Sequence, residues 1–245
     1  MGCPRSFKSR GRAFVAMKLS MSSIDLFDYT SSQLQHFYPS GRALASDEGC
    51  FRSFLRALER VEECFKHIVL RGYSEGGEAT FNALHSDQYS QYLYILSNQL
   101  WHDGAREDHS RKLLSLNRAL NGIFVSYKLD LPPHFLFGHP LGTILGNASY
   151  GDGLVVYQGV TINSGKDGSG EFVPQIGRGC FFAAGSKVIG VEPIGDRVSV
   201  GVDAVVYKRP VPADSVVLNR NGASQIYPRA DNKECFSQQF FDIVL

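Results

Sequence analysis

The chain has 245 residues and a balanced charge, with 25 lysines and arginines against 24 acidic residues, so it offers no basic face for nucleic acid. Its apolar content of 43% is ordinary for a globular protein, and no apolar run is long enough to span a membrane. Five scattered cysteines without a CxxC pair indicate free thiols, a cytoplasmic protein and neither a disulfide framework nor a zinc site.

The first 23 residues are basic and lack an apolar stretch, so they do not form a secretory signal. Residues 1–6 fit the loose pattern for N-terminal myristoylation, but this pattern is short and common by chance. We therefore predict a disordered leader over residues 1–23, or an upstream start codon with Met17 or Met21 as the true beginning.

Residues 24–129 are predicted to form a helical domain, because apolar residues recur there at spacings of three and four. The clearest stripe runs from Phe51 to Ile68 and follows a helix-start signal at Ser46 to Glu48. Two more stripes run from Tyr89 to Leu100 and from Leu113 to Ile123. We interpret these stripes as core or as subunit interface.

A period of six residues begins after the helix-breaking segment Leu131-Pro132-Pro133. Nine positions at this spacing carry a large apolar residue: Tyr150, Val156, Ile162, Ile176, Phe182, Val188, Ile194, Val200 and Val206. Such a period fits a coil of three short parallel strands, each of which points one bulky residue at a narrow axis. We therefore predict a left-handed parallel β-helix over residues 130–218, and an α+β fold class for the chain.

Two segments depart from this repeat. Ile162 and Ile176 are fourteen residues apart, which is not a multiple of six, so much of residues 163–175 must form an extruded loop. A loop that leaves a strict repeat is a candidate functional element. Residues 219–245 show no six-residue register, and we predict a tail whose apolar residues pack back on the coils or on a neighbour.

Three segments of the repeat resemble the serine acetyltransferase family of hexapeptide acyltransferases: Tyr150 to Thr161, Ile176 to Gly190 and Val200 to Val206. The resemblance covers roughly residues 130–218. It implies an acetyl-CoA-dependent O-acetyltransferase that forms a homotrimer, with acetyl-CoA in the groove between neighbouring β-helices. A dimer of trimers through the helical domain is an alternative assembly.

The family's catalytic histidine precedes a glycine-containing segment at the start of the β-helix, so the resemblance gives this role to His139. A neutral imidazole can take the proton of a hydroxyl acceptor as it attacks the thioester. Asp130, in an Asp-x-x-Pro segment similar to the family's, is predicted to orient the ring. Because His139 is the last histidine, the repeats cannot supply three histidine ligands, and we predict no metal.

The resemblance also implies where the co-substrate binds. Backbone groups near Ala184, Gly185 and Ala204 would line the acetyl-CoA groove, since small residues allow close approach. The side chains of Lys166 and Lys208 are candidates for contacts with the CoA phosphates.

The acceptor site departs from the family pattern. Glu171-Phe172-Val173 stands where the family has an acid, an arginine and a histidine, and Gly138 replaces an aspartate. The lost charges point away from free serine and favour a bulkier, less charged acceptor, such as a sugar of a surface polysaccharide. Serine O-acetyltransferase proper is one alternative, and a non-catalytic scaffold or regulatory homologue is another.

Overall fold

The computed structural model of the chain describes residues 16–39, 41–104 and 107–245. Residues 1–15, which hold Cys3 and the myristoylation pattern, lie outside these ranges. The end of the predicted leader is part of the fold, because Lys18–Leu19 form strand β1, which pairs in parallel with β3 (Glu78–Phe81). Met17 is also buried, so the prediction of disorder up to residue 23 is wrong for these residues.

Four helices occupy the N-terminal half: α1 (Ser23–Phe37), α2 (Glu48–Lys66), α3 (Ser86–His102) and α4 (Glu107–Asn121). The cap of α2 is Asp47, whose carboxylate accepts hydrogen bonds from the backbone N–H groups of Gly49 and Cys50. The apolar stripes predicted from the sequence face inward on α2 and α3, while Leu120 near the end of α4 is 41% exposed.

The N-terminal half also contains the two-residue strand β2 (Ser74–Glu75), which pairs with β3. The C-terminal half consists mainly of short strands. In chain order they are β4 (Phe124–Val125), β5 (Phe135–Gly138), β6 (Ile144–Leu145), β7 (Ser149–Tyr150), β8 (Leu154–Tyr157), β9 (Thr161–Ile162), β10 (Gly165–Lys166), β11 (Phe172–Val173), β12 (Gln175–Ile176), β13 (Phe181–Phe182), β14 (Lys187–Ile189), β15 (Ser199–Val200), β16 (Val205–Tyr207), β17 (Ser215–Arg220) and β18 (Ala223–Pro228).

The strands pair in parallel across three sheets that the chain visits in turn. One sheet contains β5, β8, β13, β15 and β17, a second contains β4, β6, β9, β14 and β16, and a third joins β7 to β12. Single bridges continue the third sheet from Ile176 to Ile194 and from Ile194 to Val211. The parallel pairing is the one that a six-residue repeat predicts.

All nine predicted inward positions are buried, with relative exposures of 8% or less. They also stack in register: Val156 pairs with Phe182 and Phe182 with Val200, while Ile162 pairs with Val188. Each turn of the chain therefore places a bulky side chain on top of the one before it, which keeps the apolar axis continuous.

The interruption after Ile162 is a β-hairpin, in which β10 pairs with β11 antiparallel. The Asp167 carboxylate closes its turn by accepting hydrogen bonds from the backbone N–H groups of Ser169 and Glu171. The coils on either side still stack, because β12 pairs with β7. We call Gly165–Val173 the hairpin below.

The predicted boundaries at residues 130 and 218 do not match the strand bounds. β4 already pairs with β6, so the paired strands begin at Phe124, and β17 continues to Arg220. β17 and β18 form an antiparallel hairpin with Asn221 and Gly222 at its turn, both with positive φ, as the Asn-Gly pair favours.

Part of the remaining C-terminal segment packs on the molecule, while Phe236 and Val244 are 47% and 85% exposed. Phe241 is buried and bridges Ile68, which follows α2, and the Phe240 ring stacks on Phe181. One apolar core runs from Met17 to Phe241 and includes residues of both the helices and the strands. None of the helices within the described ranges is long and apolar enough to cross a membrane.

Candidate functional site

His139 directly follows β5, in the turn that leads from the first sheet to the second. Its φ of 48° lies in the left-handed region, which a histidine adopts infrequently. The comparable coil corners that follow are Gly142, Gly159 and Gly185, each also with positive φ, so His139 is an additional left-handed residue on this edge. The turn brings the His139 carbonyl within 2.7 Å of the Leu141 nitrogen and turns the ring outward.

Asp87, in the first turn of α3, holds His139 from the helical side. Its Oδ2 accepts a hydrogen bond from the His139 backbone N–H at 3.0 Å and lies 3.3 Å from the ring Nδ1. The Asp87 side chain is 8% exposed, whereas the His139 side chain is 77% exposed. A carboxylate at Nδ1 favours the tautomer whose Nε2 carries the free lone pair, so the accessible nitrogen is the basic one.

The His139 ring borders a cleft of about 220 Å³ lined by Ser86, Asp87, Leu120, Asn121, Pro140 and Leu141. Residues from α3, the end of α4 and the β5–β6 turn thus meet around one imidazole. Asp87 was not among the residues predicted from the sequence. An acid in the first turn of a helix is ordinary there, and 52 residues separate it from His139.

Gly138 lies against the ring of Tyr157, its partner in the register between β5 and β8. A Cβ at position 138 would lie 3.0 Å from the Cζ of Tyr157, so the ring fills the space that a side chain would need. The Tyr157 ring centroid is 6.4 Å from that of His139. Burial, and then the negative charge of Asp87, raises the pKa of Tyr157 above its ordinary value.

Asp130 does not contact His139 within the chain described here, which corrects the predicted pairing. Its Oδ1 is 2.6 Å from His102 Nε2 and accepts a hydrogen bond from Asn98 Nδ2 at 2.9 Å. Burial alone would raise the pKa of Asp130, but the hydrogen bonds from Asn98 and His102 outweigh it and hold the pKa below its usual value. Both members of this pair are exposed, with His102 at 48% and Asp130 at 66%.

The predicted acceptor residues Glu171 and Phe172 lie on the hairpin, and together with Asp130 they line a second cleft of about 390 Å³. Val173, which ends the hairpin, is 6% exposed and packs into the fold. The hairpin lies between β9 and β12, where the chain passes from the second sheet to the third. The structure therefore groups Glu171 and Phe172 with Asp130, and places Gly138 with His139 on another edge.

The residues predicted to bind CoA divide into three places. Ala184, Gly185 and Ala204 lie close together at one corner, where the Asp203 N–H donates to the Ala184 carbonyl. The Ala204 side chain is fully buried and its carbonyl accepts from the Lys187 N–H, so both serve the packing of the coils. The Lys166 ammonium lies over the Phe172 ring on the hairpin, and that of Lys208 lies near the Tyr207 ring.

Known proteins share this combination of helices and stacked parallel strands. No family model matches the sequence. The chain is 32% identical over 128 residues to the serine acetyltransferase of Mycobacterium tuberculosis, covering 52% of this chain and 55% of that protein. It is 34% identical over 113 residues to the serine acetyltransferase of Synechococcus elongatus, covering 46% of each.

Among solved structures, the serine acetyltransferase of Brucella abortus in complex with coenzyme A aligns with a TM-score of 0.53 and 17% identity. The alignment covers 84% of this chain and 75% of that one. This likeness shows the fold. The chain spans about half the length of the curated relatives it matches. It is serine acetyltransferase-like in sequence and in fold, which confirms the resemblance predicted from its hexapeptide segments.

Proposed function

We propose that the chain is an acetyl-CoA-dependent O-acetyltransferase in which His139 is the general base and Asp87 its partner. The observation that carries the proposal is the buried Asp87 carboxylate at Nδ1 of an exposed imidazole that lines a cleft. The Brucella abortus neighbour was solved with coenzyme A, which supports acetyl-CoA as the donor. We further propose that residues 124–220 form a left-handed β-helix and that the protein is cytoplasmic, since its cysteines are scattered without a CxxC pair and Cys64, Cys180 and Cys235 are buried thiols.

The chemistry follows from the tautomer that Asp87 favours. His139 Nε2 takes the proton from the acceptor hydroxyl as the oxygen attacks the thioester carbonyl, and the Asp87 carboxylate stabilises the imidazolium that forms. The tetrahedral intermediate then expels the CoA thiolate, and the imidazolium returns its proton to that sulfur. The products are the O-acetyl ester and free CoA.

For the acceptor, the comparisons favour serine over the sugar suggested by the hairpin sequence. Both relatives and the solved structure named above are serine acetyltransferases. The apolar residues Phe172 and Val173 therefore do not by themselves support a saccharide acceptor. We propose serine or a closely related hydroxyl compound, with Glu171 as a candidate partner for its ammonium group.

The two clefts imply that the site is completed by assembly. His139 and the hairpin lie at different edges of a three-sided coil, so one chain does not bring them together. In a cyclic homotrimer, the edge of one copy faces a different edge of the next. We propose that Glu171 and Phe172 of one copy meet His139 of its neighbour, with acetyl-CoA in the groove between them.

The test is release of free CoA from acetyl-CoA in the presence of serine and, separately, of a set of nucleotide sugars. We expect turnover with serine, and a fall of about 10²–10⁴-fold for His139→Ala, the range that general-base assistance supplies. His36→Ala, a histidine in the last turn of α1, is the matched control and should keep full activity. Circular dichroism checks that both variants fold.

Full activity in His139→Ala would remove the proposed mechanism, whatever the acceptor. Tight binding of acetyl-CoA without transfer to any acceptor would instead support the scaffold alternative. Two departures from the family pattern favour this alternative: Gly138 in place of an aspartate and Val173 in place of a second histidine.

A further inference from the structure

Three potential metal ligands meet where α2, the segment before β5 and the C-terminal segment come together. Glu63 and His67 are one helical turn apart at the end of α2, and His134 immediately precedes β5. One donor atom from each residue lies within 4.8 Å of the other two. Glu63 Oε1 is 3.5 Å from His67 Nε2 and 3.8 Å from His134 Nε2.

These separations suit a shared metal ion better than direct hydrogen bonds. Zinc binds histidine nitrogen and carboxylate oxygen at about 2.0–2.2 Å in a tetrahedron, which places neighbouring ligand atoms roughly 3.3–3.5 Å apart. A side-chain hydrogen bond beyond about 3.5 Å is no longer effective. His134 Nε2 is shielded from solvent and accepts or donates no hydrogen bond within the part of the chain described.

Both histidines are already oriented for ligation by carboxylates on their other ring nitrogens. Asp242 Oδ1 is 2.8 Å from His67 Nδ1, and Asp152 Oδ2 is 2.8 Å from His134 Nδ1. A carboxylate at Nδ1 keeps the proton there and leaves the Nε2 lone pair for a metal. In both residues Nε2 is the nitrogen that faces Glu63. The cluster therefore has both the ligand atoms of a histidine–carboxylate metal site and the carboxylates that orient them.

The charge and access of the cluster fit a divalent cation. The carboxylates of Glu63, Asp152 and Asp242 surround the two histidines, and Lys66 is the cation paired with Glu63. Lys66 contacts Oε2, which leaves Oε1 facing the histidines. The Glu63 side chain is half exposed, while that of His134 is 13% exposed, so an ion could enter from the Glu63 side.

We propose that Glu63, His67 and His134 form a binding site for a zinc-class divalent transition metal, with water as the fourth ligand. The site is separate from the His139 cleft and is built from other residues. Its chain segments are the end of α2, the turn before β5 and the C-terminal segment that carries Asp242. A bound ion would fasten these three segments to one another.

The experiment uses the full chain without a histidine tag, stripped of metal with a chelator and then titrated with Zn²⁺ or Co²⁺. We expect one ion per chain, a visible Co²⁺ spectrum of the intensity typical of tetrahedral coordination, and no competition from Mg²⁺, which prefers six oxygen ligands. Asp242→Asn should weaken Zn²⁺ binding about 10–100-fold, as loss of an orienting carboxylate does, and His134→Ala should weaken it further.

His102→Ala is the matched control, since His102 also contacts a carboxylate, Asp130, but belongs to no group of three potential ligands in the part of the chain that the structure describes. It should keep one Zn²⁺ per chain. Glu63→Gln removes a half-exposed ligand, so it tests the site even if His134→Ala does not fold. The proposal is overturned if the unmodified chain takes up no stoichiometric Zn²⁺, or if Glu63→Gln and Asp242→Asn bind it as tightly as the unmodified chain does.

Discussion

The His139 edge and the hairpin edge of the coil carry residues of one predicted reaction, yet they are built differently. At the His139 edge a buried carboxylate holds an exposed imidazole by two contacts, and residues from α3, α4 and the β5–β6 turn enclose the cleft. At the hairpin edge the residues lining the cleft include exposed Glu171, Phe172 and Asp130 but no histidine. The first cleft therefore contains an imidazole, whereas at the second edge the histidine bonded to Asp130, His102, is not among the residues that line the cleft.

Under the proposed function, this difference is a division of labour between copies of the chain. His139 and Asp87 form the proposed base within each chain, and the proposed acceptor residues reach it across a subunit interface. Two predictions test this division and two test the packing of each edge, from the largest expected effect to the smallest.

Asp87→Asn should lower kcat about 10²-fold or more, because the amide no longer stabilises the imidazolium or enforces the tautomer. The Asn oxygen can still accept the His139 backbone N–H, so the fold and the KM for acetyl-CoA should change little. Steady-state kinetics with serine measures both. A variant with unchanged kcat would show that Asp87 only supports the turn.

Two inactive variants should restore activity when they share an oligomer. We would co-express His139→Ala with the double variant Glu171→Lys/Phe172→Asp, each with its own affinity tag, and purify with both tags in succession. A cyclic trimer that contains both chains has one intact pair of facing edges, so about one third of wild-type activity is expected. Oligomers with no more activity than either parent would place the whole site within one chain.

Gly138→Asp should lower the free energy of unfolding by about 1–3 kcal/mol, the usual cost of overpacking, because its Cβ meets the Tyr157 ring. The cost should shrink in a Tyr157→Ala background, which opens the space. Chemical denaturation of the two single variants and the double variant gives the coupling. An equal cost in both backgrounds would mean that the ring is not the obstacle.

Asp130→Asn should lower the free energy of unfolding by at most about 1 kcal/mol, because the pair with His102 is exposed. The pKa of Asp130 is lowered in the folded chain, so its contribution is present above about pH 4 and is lost as the pH falls through that lowered pKa. The difference between wild type and variant should therefore vanish in acid. A difference that grows below pH 4 would have the wrong sign.

The strand-rich half of the fold could be predicted from the sequence because its repeat depends only on residues six positions apart. Each sixth residue must face the axis, and every one of the nine predicted positions does. The six-residue period does not extend into β17 and β18, and only the Asn221-Gly222 turn signal indicates that they form a hairpin. The parallel strands of the coil also begin at Phe124, before the proline pair at 132 and 133 that indicates a boundary.

The candidate site could be predicted only in part, because its partners are distant in sequence. His139 stands in a recognisable segment, but the acid beside it comes from α3, and the motif-based choice of Asp130 led to a different histidine. Likewise, no sequence motif links His134 to Glu63 or His67 to Asp242. These residues come into contact only because the helix, the coil and the C-terminal segment pack together. The sequence shows which reactive side chains the protein has, whereas only the folded structure shows which of them lie next to each other.

The hairpin does not disturb the stack, since strands before it still pair with strands after it, as Ser149 does with Gln175 and Thr161 with Lys187. Its length and composition are therefore free to vary while the coils beneath keep their register. The hairpin could therefore be exchanged as a unit without moving the strands beneath it. Under the proposed function, hairpins grafted from relatives would change which hydroxyl compound is acetylated and leave His139 and the stability of the coil as they are.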